Sequence, residues 1–371
     1  MASGFSLKDQ LFNAEKARYL AGLFAAAGAG FDAGGFEARV MARLPELELK
    51  ERITWIAEVL AGHLPDALPE AAPVILRALP APLDPSKSDD DFGDFIFAPL
   101  GDLVAAKAVA DHPELGLDLL EEITQRFSME WAIRPFLNHW PELTLARMEG
   151  WAAHGSYHVR RLVSEGTRSR LPWGQAVGLG LADALPLLDV LHQDRTRYVT
   201  RSVANHLNDI TKKDPDLVLD RLSAWQAAAR QERAELDWMA SHALRGLVKA
   251  GHPGAMTMLG FDPDAPVEAA VEIAAEARIG GALEFAVTLE APARQPVLVD
   301  YIIHFQRPGG KVSPKVHKLK QAVIEGSALT LKKKHKLKGD ATTFKLVPGA
   351  HRLEVQVNGR ICAAAEFELL G

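Results

Sequence analysis

One stretch of sequence occurs twice and decides the fold of the first 261 residues: Pro141-Glu-Leu-Thr-Leu-Ala-Arg-Met-Glu-Gly-Trp151 and Pro215-Asp-Leu-Val-Leu-Asp-Arg-Leu-Ser-Ala-Trp225. The copies lie 74 residues apart and share the proline, the acid, two leucines, the arginine and the tryptophan. Proline followed by an acid suits the first turn of a helix, because proline lacks an N–H that would be unpaired there and the acid meets the positive end of the helix dipole. Each copy therefore predicts the start of the second helix of a helical pair.

Fainter copies of this stretch begin at Pro113 and Pro253, and we expect a further helix start at Pro172. With the two copies above, the starts are spaced 28 to 43 residues apart, near the period of HEAT-like helical hairpins. Apolar residues before Phe261 recur with helical spacing and do not alternate over strand lengths. We expect an N-terminal all-α HEAT-like repeat solenoid over residues 1–261.

After the linker Asp262-Pro-Asp-Ala-Pro266 the apolar residues alternate, as in Leu283, Phe285, Val287 and Leu289. Three glycine-containing turns, Gly280-Gly281, Pro308-Gly-Gly310 and Asn358-Gly359, predict hairpins. Seven or eight short strands in about 105 residues predict an immunoglobulin-like β-sandwich over residues 262–371. The fold class is thus multidomain α and β, a helical solenoid followed by a sandwich.

Composition and motifs exclude several classes of function. A single cysteine, Cys362, excludes a disulfide framework and a Cys-based zinc site, and favours a reducing, cytoplasmic compartment. The apolar runs are too short to span a membrane, and we expect no export signal. It contains no P-loop, dinucleotide fingerprint, zincin helix or nucleophile elbow, and the only two histidines four residues apart, His154 and His158, have no acid between them. We expect no metal and no organic cofactor.

Charge is distributed unevenly along the chain. The net charge is −6, yet residues 1–261 carry 27 basic against 35 acidic residues, whereas residues 300–360 carry 13 against 4. A second local basic excess lies between Tyr157 and Lys213. An acidic body with a basic end is compatible with a nucleic-acid partner despite the negative total.

Three carboxylates stand at related places in the repeat. Glu165 and Asp209 lie seven and six residues before Pro172 and Pro215, and Arg126-Phe-Ser-Met-Glu130 aligns with Arg161-Leu-Val-Ser-Glu165. We expect all three near the ends of successive first helices, on one edge of the solenoid. The alternative is that each acid pairs with a neighbouring arginine on a solvated face and has no catalytic meaning.

Several separate segments resemble one known family. Arg126-Phe-Ser-Met-Glu-Trp-Ala-Ile-Arg-Pro135, Glu165-Gly-Thr-Arg-Ser-Arg-Leu-Pro-Trp173 and Ser202-Val-Ala-Asn-His-Leu-Asn-Asp209 are similar to the AlkC-type DNA alkylation repair glycosylases. Val299-Asp-Tyr-Ile-Ile-His-Phe305 and Pro348-Gly-Ala-His-Arg-Leu-Glu-Val-Gln-Val-Asn-Gly359 resemble the immunoglobulin-like extension of one branch of that family. The resemblance covers nearly the whole chain.

The resemblance implies a monofunctional DNA glycosylase that hydrolyses the bond between deoxyribose and a cationic N3-alkylated base, 3-methyladenine first and 3-methylcytosine second. Glu165 is then the first choice for the carboxylate that stabilises the cationic sugar or positions water, with Glu130 and Asp209 in support. Trp173 is the candidate aromatic wall against the cationic base, with a core position as its alternative. We expect Trp131 to serve in packing.

The partner implied is double-stranded DNA containing alkylated bases, bound by a monomer in the bacterial cytoplasm at the nucleoid. The candidate phosphate-binding residues are Arg161, Arg168, Arg170, Arg197, Arg201, Lys212 and Lys213 in the body, and Lys315, Lys318, Lys332, Lys333, Lys334 and Lys336 in the tail. The alternative for these residues is a solvated basic face or an edge that prevents strand pairing. The competing function is a noncatalytic HEAT-repeat scaffold that binds DNA or protein.

Overall fold

The computed structural model describes residues 6–28, 30–87, 92–172, 174–339 and 344–371. By its internal contacts the chain divides into two compact units. The first comprises Met1–Ile210 with Ala229–Glu235, and the second comprises Thr211–Ala228 with Leu236–Gly371. The second unit thus groups helices with the β-sandwich, and the boundary at residue 261 stays a prediction.

Helices make up the first unit. They are α1 Leu7–Leu11, α2 Ala14–Ala27, α3 Ala33–Met41, α4 Leu49–Ala61, α5 Leu68–Ala78, α6 Ala98–Ala108, α7 Pro113–Thr124, α8 Arg134–His139, α9 Pro141–Trp151, α10 Tyr157–Thr167, α11 Leu185–Leu191 and α12 Arg197–Ile210, with short 3₁₀ turns at Leu44–Glu46 and Phe95–Phe97. Neighbouring helices pack in series, α4 on α6, α6 on α7, and α10 on α7, α9 and α12. This arrangement brings α10 and α12 side by side.

The second unit contains four further helices and eight strands. The helices are α13 Pro215–Ala228, α14 Arg233–Ala243, α15 Arg245–Lys249 and α16 Pro253–Met258, of which α14 begins at the end of the first unit's range. The strands are β1 Glu268–Ile273, β2 Glu276–Arg278, β3 Ala282–Glu290, β4 Gln295–Gln306, β5 Val312–Ile324, β6 Leu329–Lys336, β7 Gly349–Val357 and β8 Arg360–Leu370.

The predicted proline helix starts are confirmed at four of the five positions. Pro113, Pro141, Pro215 and Pro253 are the first residues of α7, α9, α13 and α16. The predicted start at Pro172 is wrong, since no helix occurs in the described residues between the end of α10 and Leu185. This segment contains glycines 174, 178 and 180, which lose much backbone entropy in a helix and oppose its extension from Pro172.

The strands form the predicted immunoglobulin-like sandwich. One sheet has the order β1-β3-β6 and the other β2-β8-β7-β4-β5, with antiparallel pairing except between β2 and β8. The alternating residues Leu283, Phe285, Val287 and Leu289 are all buried in the core between the sheets. The hairpin predicted at Gly280-Gly281 is wrong, because β2 and β3 lie in different sheets and this turn connects the sheets.

The hairpin predicted at Asn358-Gly359 joins β7 to β8, and Asn358 also anchors the linker before the sandwich. Its side-chain oxygen accepts from the Leu298 N–H at 2.8 Å, and its amide donates to the Asp262 carbonyl at 2.9 Å. A Cβ on Gly359 would lie 2.8 Å from the carbonyl oxygen of Gly251, so only glycine allows this approach.

Candidate functional site

The site is built on the ends of α10 and α12. Arg161, Glu165 and Arg168 occur at intervals of four and three residues, which places them on one face of α10 and at its end. Asp209 lies on the last turn of the neighbouring α12. Because these two helices pack against each other, the side chains from both can meet.

The three predicted carboxylates are brought together by two arginines. An Arg161 Nη1 atom lies 2.9 Å from Glu130 Oε2, and its Nη2 atom lies 3.5 Å from Glu165 Oε1. Arg168 continues the series, with Nη1 2.9 Å from Glu165 Oε2 and Nη2 2.7 Å from Asp209 Oδ2. Acid and base alternate from Glu130 to Asp209, and we call these five residues the carboxylate–arginine chain.

Glu130 joins the carboxylate–arginine chain from a turn, whereas the sequence predicted a helix end. It lies in a turn between α7 and α8, not at the end of a helix, so its predicted position is wrong. Arg126, which the sequence alignment matched to Arg161, does not occupy an equivalent place. It donates to the carbonyl of Pro80 and pairs with Glu122. Phe127 pairs with Gly93 in an isolated β-bridge, which keeps this backbone extended where α10 is helical.

The carboxylates are not on a solvated face. The exposed fractions of the side chains are 20 % for Glu130, 5 % for Glu165 and 10 % for Asp209. Burial raises the pKa of Glu165, but the charges of Arg161 and Arg168 outweigh burial and hold that pKa below its usual value. Glu165 is therefore ionised at neutral pH although water hardly reaches it.

Arg161 is fixed from several sides. It donates to Ser128 Oγ at 3.2 Å, and its guanidinium lies 4.6 Å from the centre of the Tyr198 ring. Tyr198 makes edge contacts with the rings of Tyr157 and His158. The pKa of Arg161 is raised, because Glu165 and Glu130 together outweigh the opposing effect of burial. A cation held this firmly orders the carboxylates on both sides of it.

A cleft of about 410 Å³ opens beside one end of the carboxylate–arginine chain. Glu130 and Arg161 form part of the wall of this cleft. Most of the remaining wall is aromatic or aliphatic. The lining residues are Leu49, Lys50, Ile53, Thr54, Phe92, Phe95, Asp102, Phe127, Ser128, Glu130, Trp131, Arg161 and Tyr198. Glu165 and Asp209 do not line it, so Glu130 is the carboxylate of the three that borders the cleft.

Of the two tryptophans considered in the sequence, the structure describes Trp131. Trp131, expected in packing, lines the cleft, and its indole N–H donates to Asp102 Oδ1 at 2.8 Å. Trp173, the candidate aromatic wall, lies outside the described residues. Neither the repeat nor the spacing predicted this position for Trp131, because its hydrogen-bond partner Asp102 lies on α6, far away in sequence.

Arg134 is a residue whose role the sequence reasoning missed. Its side chain is fully buried and donates to the carbonyls of Gly166 at 3.1 Å and Ser169 at 3.3 Å, and also to that of Gln175. Burial and the nearby charge of Arg168 lower the pKa of Arg134 to about 10. Arg134 thus holds the backbone where α10 ends and Arg168 begins the following segment. A buried arginine beside Pro135 has no sequence signal of its own.

The candidate phosphate-binding residues of the body fall into two groups. Arg161 and Arg168 are engaged in the carboxylate–arginine chain, and Arg197 pairs with Glu235, with Nε 2.9 Å from Oε1. Arg170, Lys212 and Lys213 are exposed, and Arg201 on α12 is half-buried. The DNA-binding role of Arg170, Lys212 and Lys213 stays a prediction.

The lysines of the tail follow the two edge strands β5 and β6, which contact each other. Lys318, Lys332, Lys334 and Lys336 are exposed, whereas Lys333 is half-buried. The half-buried Lys315 places its ammonium 3.5 Å from the ring centre of Phe344. Lysine on edge strands also prevents pairing with other chains, so both interpretations of this row stay open.

Two other kinds of site are absent from the part of the chain that the structure describes. Among the residues that the structure describes, no three His, Cys, Asp or Glu side chains are grouped closely enough to hold a metal ion. None of the helices in the described ranges has the length and apolarity needed to cross a membrane.

The chain is similar to known proteins over nearly its whole length. Residues 267–371 match the family model of the C-terminal Ig-like domain of the uncharacterised protein YhaZ. The uncharacterized protein YhaZ of Bacillus subtilis is 33 % identical over 330 residues, 88 % of each chain. The structure of the Pseudomonas fluorescens alkylpurine DNA glycosylase AlkC, bound to DNA containing an abasic site analog, is 33 % identical, with a TM-score of 0.86 over 99 % of this chain and 100 % of that one.

Proposed function

Because this chain belongs to the family of AlkC-type DNA alkylation repair glycosylases, we propose that it removes cationic N3-alkylated bases from double-stranded DNA by hydrolysing the bond to deoxyribose. The observation that carries the proposal is the carboxylate–arginine chain, in which Glu130, Glu165 and Asp209 converge from separate elements. 3-Methyladenine is the first substrate we propose and 3-methylcytosine the second.

Such a substrate needs little catalytic assistance at the base that leaves. An N3-methylated adenine already carries positive charge, and when the N-glycosidic bond breaks its electron pair goes to the base and neutralises it. The base therefore leaves without a general acid. The barrier lies in the positive charge that develops on the sugar, as in other glycoside hydrolyses. Fixed carboxylates near that sugar stabilise the transition state without reorganising during the reaction.

We assign a different catalytic role to each of the three carboxylates according to how exposed its side chain is. Glu165, which is ionised and whose side chain is 5 % exposed, supplies fixed negative charge from a buried position. Glu130 borders the cleft, so it can contact the sugar or accept the proton of the attacking water. Asp209 supports the series from α12 through Arg168. With three carboxylates and two guanidiniums, the carboxylate–arginine chain has a net negative charge, opposite to that of the sugar cation.

DNA binding is assigned to the basic residues at two places. Arg170, Lys212 and Lys213 are exposed in the body, and four lysines of β5 and β6 are exposed on the sandwich, namely Lys318, Lys332, Lys334 and Lys336. The residues before position 262 are acidic on balance, so phosphate contacts from the tail supply attraction that the body lacks. We propose that the protein acts as a monomer and without a cofactor.

The competing proposal is a noncatalytic scaffold, which is favoured by the fact that every one of the three carboxylates has an arginine partner. Incubating the purified protein with methylated duplex DNA, followed by chromatography of the released bases, separates the two. We expect free 3-methyladenine in amounts that grow with time. DNA that is bound while all of its methylated bases are retained would support the scaffold and overturn the glycosylase proposal.

A further inference from the structure

The turn that carries Glu130 is packed against two helices of the same unit, α6 and α10. Residues 129–133 form this turn, which is closed by a hydrogen bond of 3.1 Å from the Ile133 N–H to the Met129 carbonyl. We call it the Glu130 turn. Met129, Ala132 and Ile133 are all buried. The backbone on both sides of Glu130 is therefore anchored in the core.

Gly101 of α6 allows the Glu130 turn to approach that helix closely. A Cβ built on Gly101 would lie 2.7 Å from Met129 Sδ and 2.9 Å from Ala132 Cβ. In a close-packed interior these distances leave no room for a larger residue at this position, so any side chain there would push the turn outward. The absence of a side chain thus fixes the depth at which the turn lies.

The Glu130 turn also packs against α10. A Cβ built on Gly166 would lie 2.7 Å from Cγ2 of Ile133, so this helix approaches the turn as closely as α6 does. Gly166 directly follows Glu165 in the chain. The packing of one turn against both helices therefore sets the separation of Glu130 and Glu165.

Asp102, the next residue of α6, binds the Glu130 turn through its side chain. Its Oδ1 accepts from the Trp131 indole N–H at 2.8 Å, and its Oδ2 accepts from the Thr54 hydroxyl at 3.1 Å. Both carboxylate oxygens thus have a donor, and the side chain joins α4, α6 and the turn. Because Trp131 directly follows Glu130, an indole held at its N–H restricts the backbone that carries Glu130.

We infer that Asp102 is a positioning residue for base release, which acts by holding the Trp131 indole and thereby the Glu130 carboxylate. The inference rests on the proposed function, in which Glu130 contacts the sugar or accepts the proton of the attacking water. Asp102 acts through its hydrogen bond to Trp131 and not through its charge. Such support matters, because displacing a catalytic group by about 1 Å can lower a rate by about 10²-fold.

The test is a double-mutant cycle in the full-length protein. Asp102→Ala removes the acceptor, Trp131→Phe removes the donor, and a third variant combines the two changes. Asp102→Asn keeps both hydrogen bonds, since its amide oxygen accepts from the indole and its amide N–H donates to the Thr54 hydroxyl. The single-turnover release of 3-methyladenine is measured with saturating enzyme, and the affinity for the methylated duplex is measured separately.

Trp151→Phe is the matched control. The Trp151 indole N–H also donates to a carboxylate, Oε2 of Glu121, at 2.6 Å, and this pair lies outside the lining of the cleft. We expect Trp151→Phe to lose stability in urea unfolding as Trp131→Phe does. It should nevertheless release base at close to the wild-type rate, because it leaves the Glu130 turn untouched.

We expect Asp102→Ala and Trp131→Phe each to lower the rate by about 10- to 10²-fold with DNA affinity unchanged. The double variant should be no slower than the slower single variant, because both changes break the same bond. Asp102→Asn should stay close to the wild-type rate.

Three results would overturn the inference alone, provided that the wild-type protein releases base. These are unchanged rates in the single variants, losses that multiply in the double variant, and an asparagine variant as slow as the alanine variant. Equal slowing of Trp151→Phe would reduce the effect to general destabilisation and overturn it as well. A wild-type protein that releases no base would instead overturn the proposed function, and the inference with it.

Discussion

Replacing Glu165 by glutamine tests the centre of the carboxylate–arginine chain. The change keeps the shape of the side chain but leaves Arg161 and Arg168 without their shared buried counter-charge. Breaking a buried ion pair from one side costs about 3–5 kcal/mol of folding stability. We expect the lower end, because the glutamine oxygen still accepts a hydrogen bond from Arg168.

The effect of Glu165→Gln on the rate of base release should be separate from its effect on folding stability, and the two should be similar in free energy. Removing one preorganised electrostatic group from a transition state costs about 2.7–4 kcal/mol, which corresponds to about 10²- to 10³-fold in rate. The assay is the single-turnover release of 3-methyladenine from methylated duplex, with enzyme in excess and at a temperature where urea unfolding shows the variant to be folded. Saturating enzyme removes any change in DNA affinity from the measured rate.

Asp194→Asn provides a matched control. Asp194 pairs with Arg160, the residue next to Arg161 on α10, at 3.1 Å, and its side chain is 4 % exposed, against 5 % for Glu165. It lies outside the carboxylate–arginine chain. We expect this variant to lose stability as Glu165→Gln does, yet to release base at close to the wild-type rate. If both variants release base equally well, or both lose activity in proportion to stability, the catalytic role of Glu165 is refuted.

Three further predictions follow from the charges and hydrogen bonds of the site and the sandwich. A neutral lesion such as 1,N6-ethenoadenine should stay in the DNA under conditions that release 3-methyladenine, because the proposed mechanism has no general acid, and its efficient excision would contradict the mechanism. Arg134→Lys should lower the free energy of unfolding by about 1–3 kcal/mol, since lysine cannot replace all three hydrogen bonds to the carbonyls around residues 166–175; a loss below about 0.5 kcal/mol in urea unfolding would show that these bonds are dispensable. Burial raises the pKa of Asp300 from 3.8 to about 6, so the folded state loses stability as pH rises through that interval. Asp300→Asn should therefore stabilise the protein by about 1–3 kcal/mol above pH 6 and leave it unchanged near pH 4, and a constant difference at all pH values would rule out the titration.

The fold was predictable because its signals are local. Proline followed by an acid fixes a helix start through one missing N–H and one favourable charge, and Pro113, Pro141 and Pro215 all obey it. Pro253 starts α16 through the proline alone, because glycine follows it. The segment after Pro172 contains glycines at 174, 178 and 180, which oppose a helix there. Alternation in β3 likewise identified a strand with one buried face, but the partners of β2 and β3 depend on the whole sandwich and could not be derived from Gly280-Gly281.

The sequence predicted which three carboxylates belong to the site, but it did not predict how they are joined. Glu165 and Asp209 were found from their places in the repeat, and the structure joins them through Arg168. Glu130 was found through an alignment that the backbone does not follow, since it reaches Arg161 from a turn. Trp131 and Arg134 were missed because their roles come from neighbours far away in sequence, Asp102 for one and residues 166–175 for the other. Such contacts exist only after the helices have packed.

The most direct measurement of the central claim is the count of abasic sites in methylated duplex DNA after incubation with the wild-type protein in the presence of a metal chelator. Alkaline cleavage converts each abasic site into a strand break that can be counted, and the released base is quantified in the same sample. A glycosylase that works through fixed carboxylates should produce one abasic site for each molecule of 3-methyladenine released, at a rate that the chelator leaves unchanged. Methylated DNA that is bound by the protein but acquires no abasic sites above the spontaneous background would contradict the account.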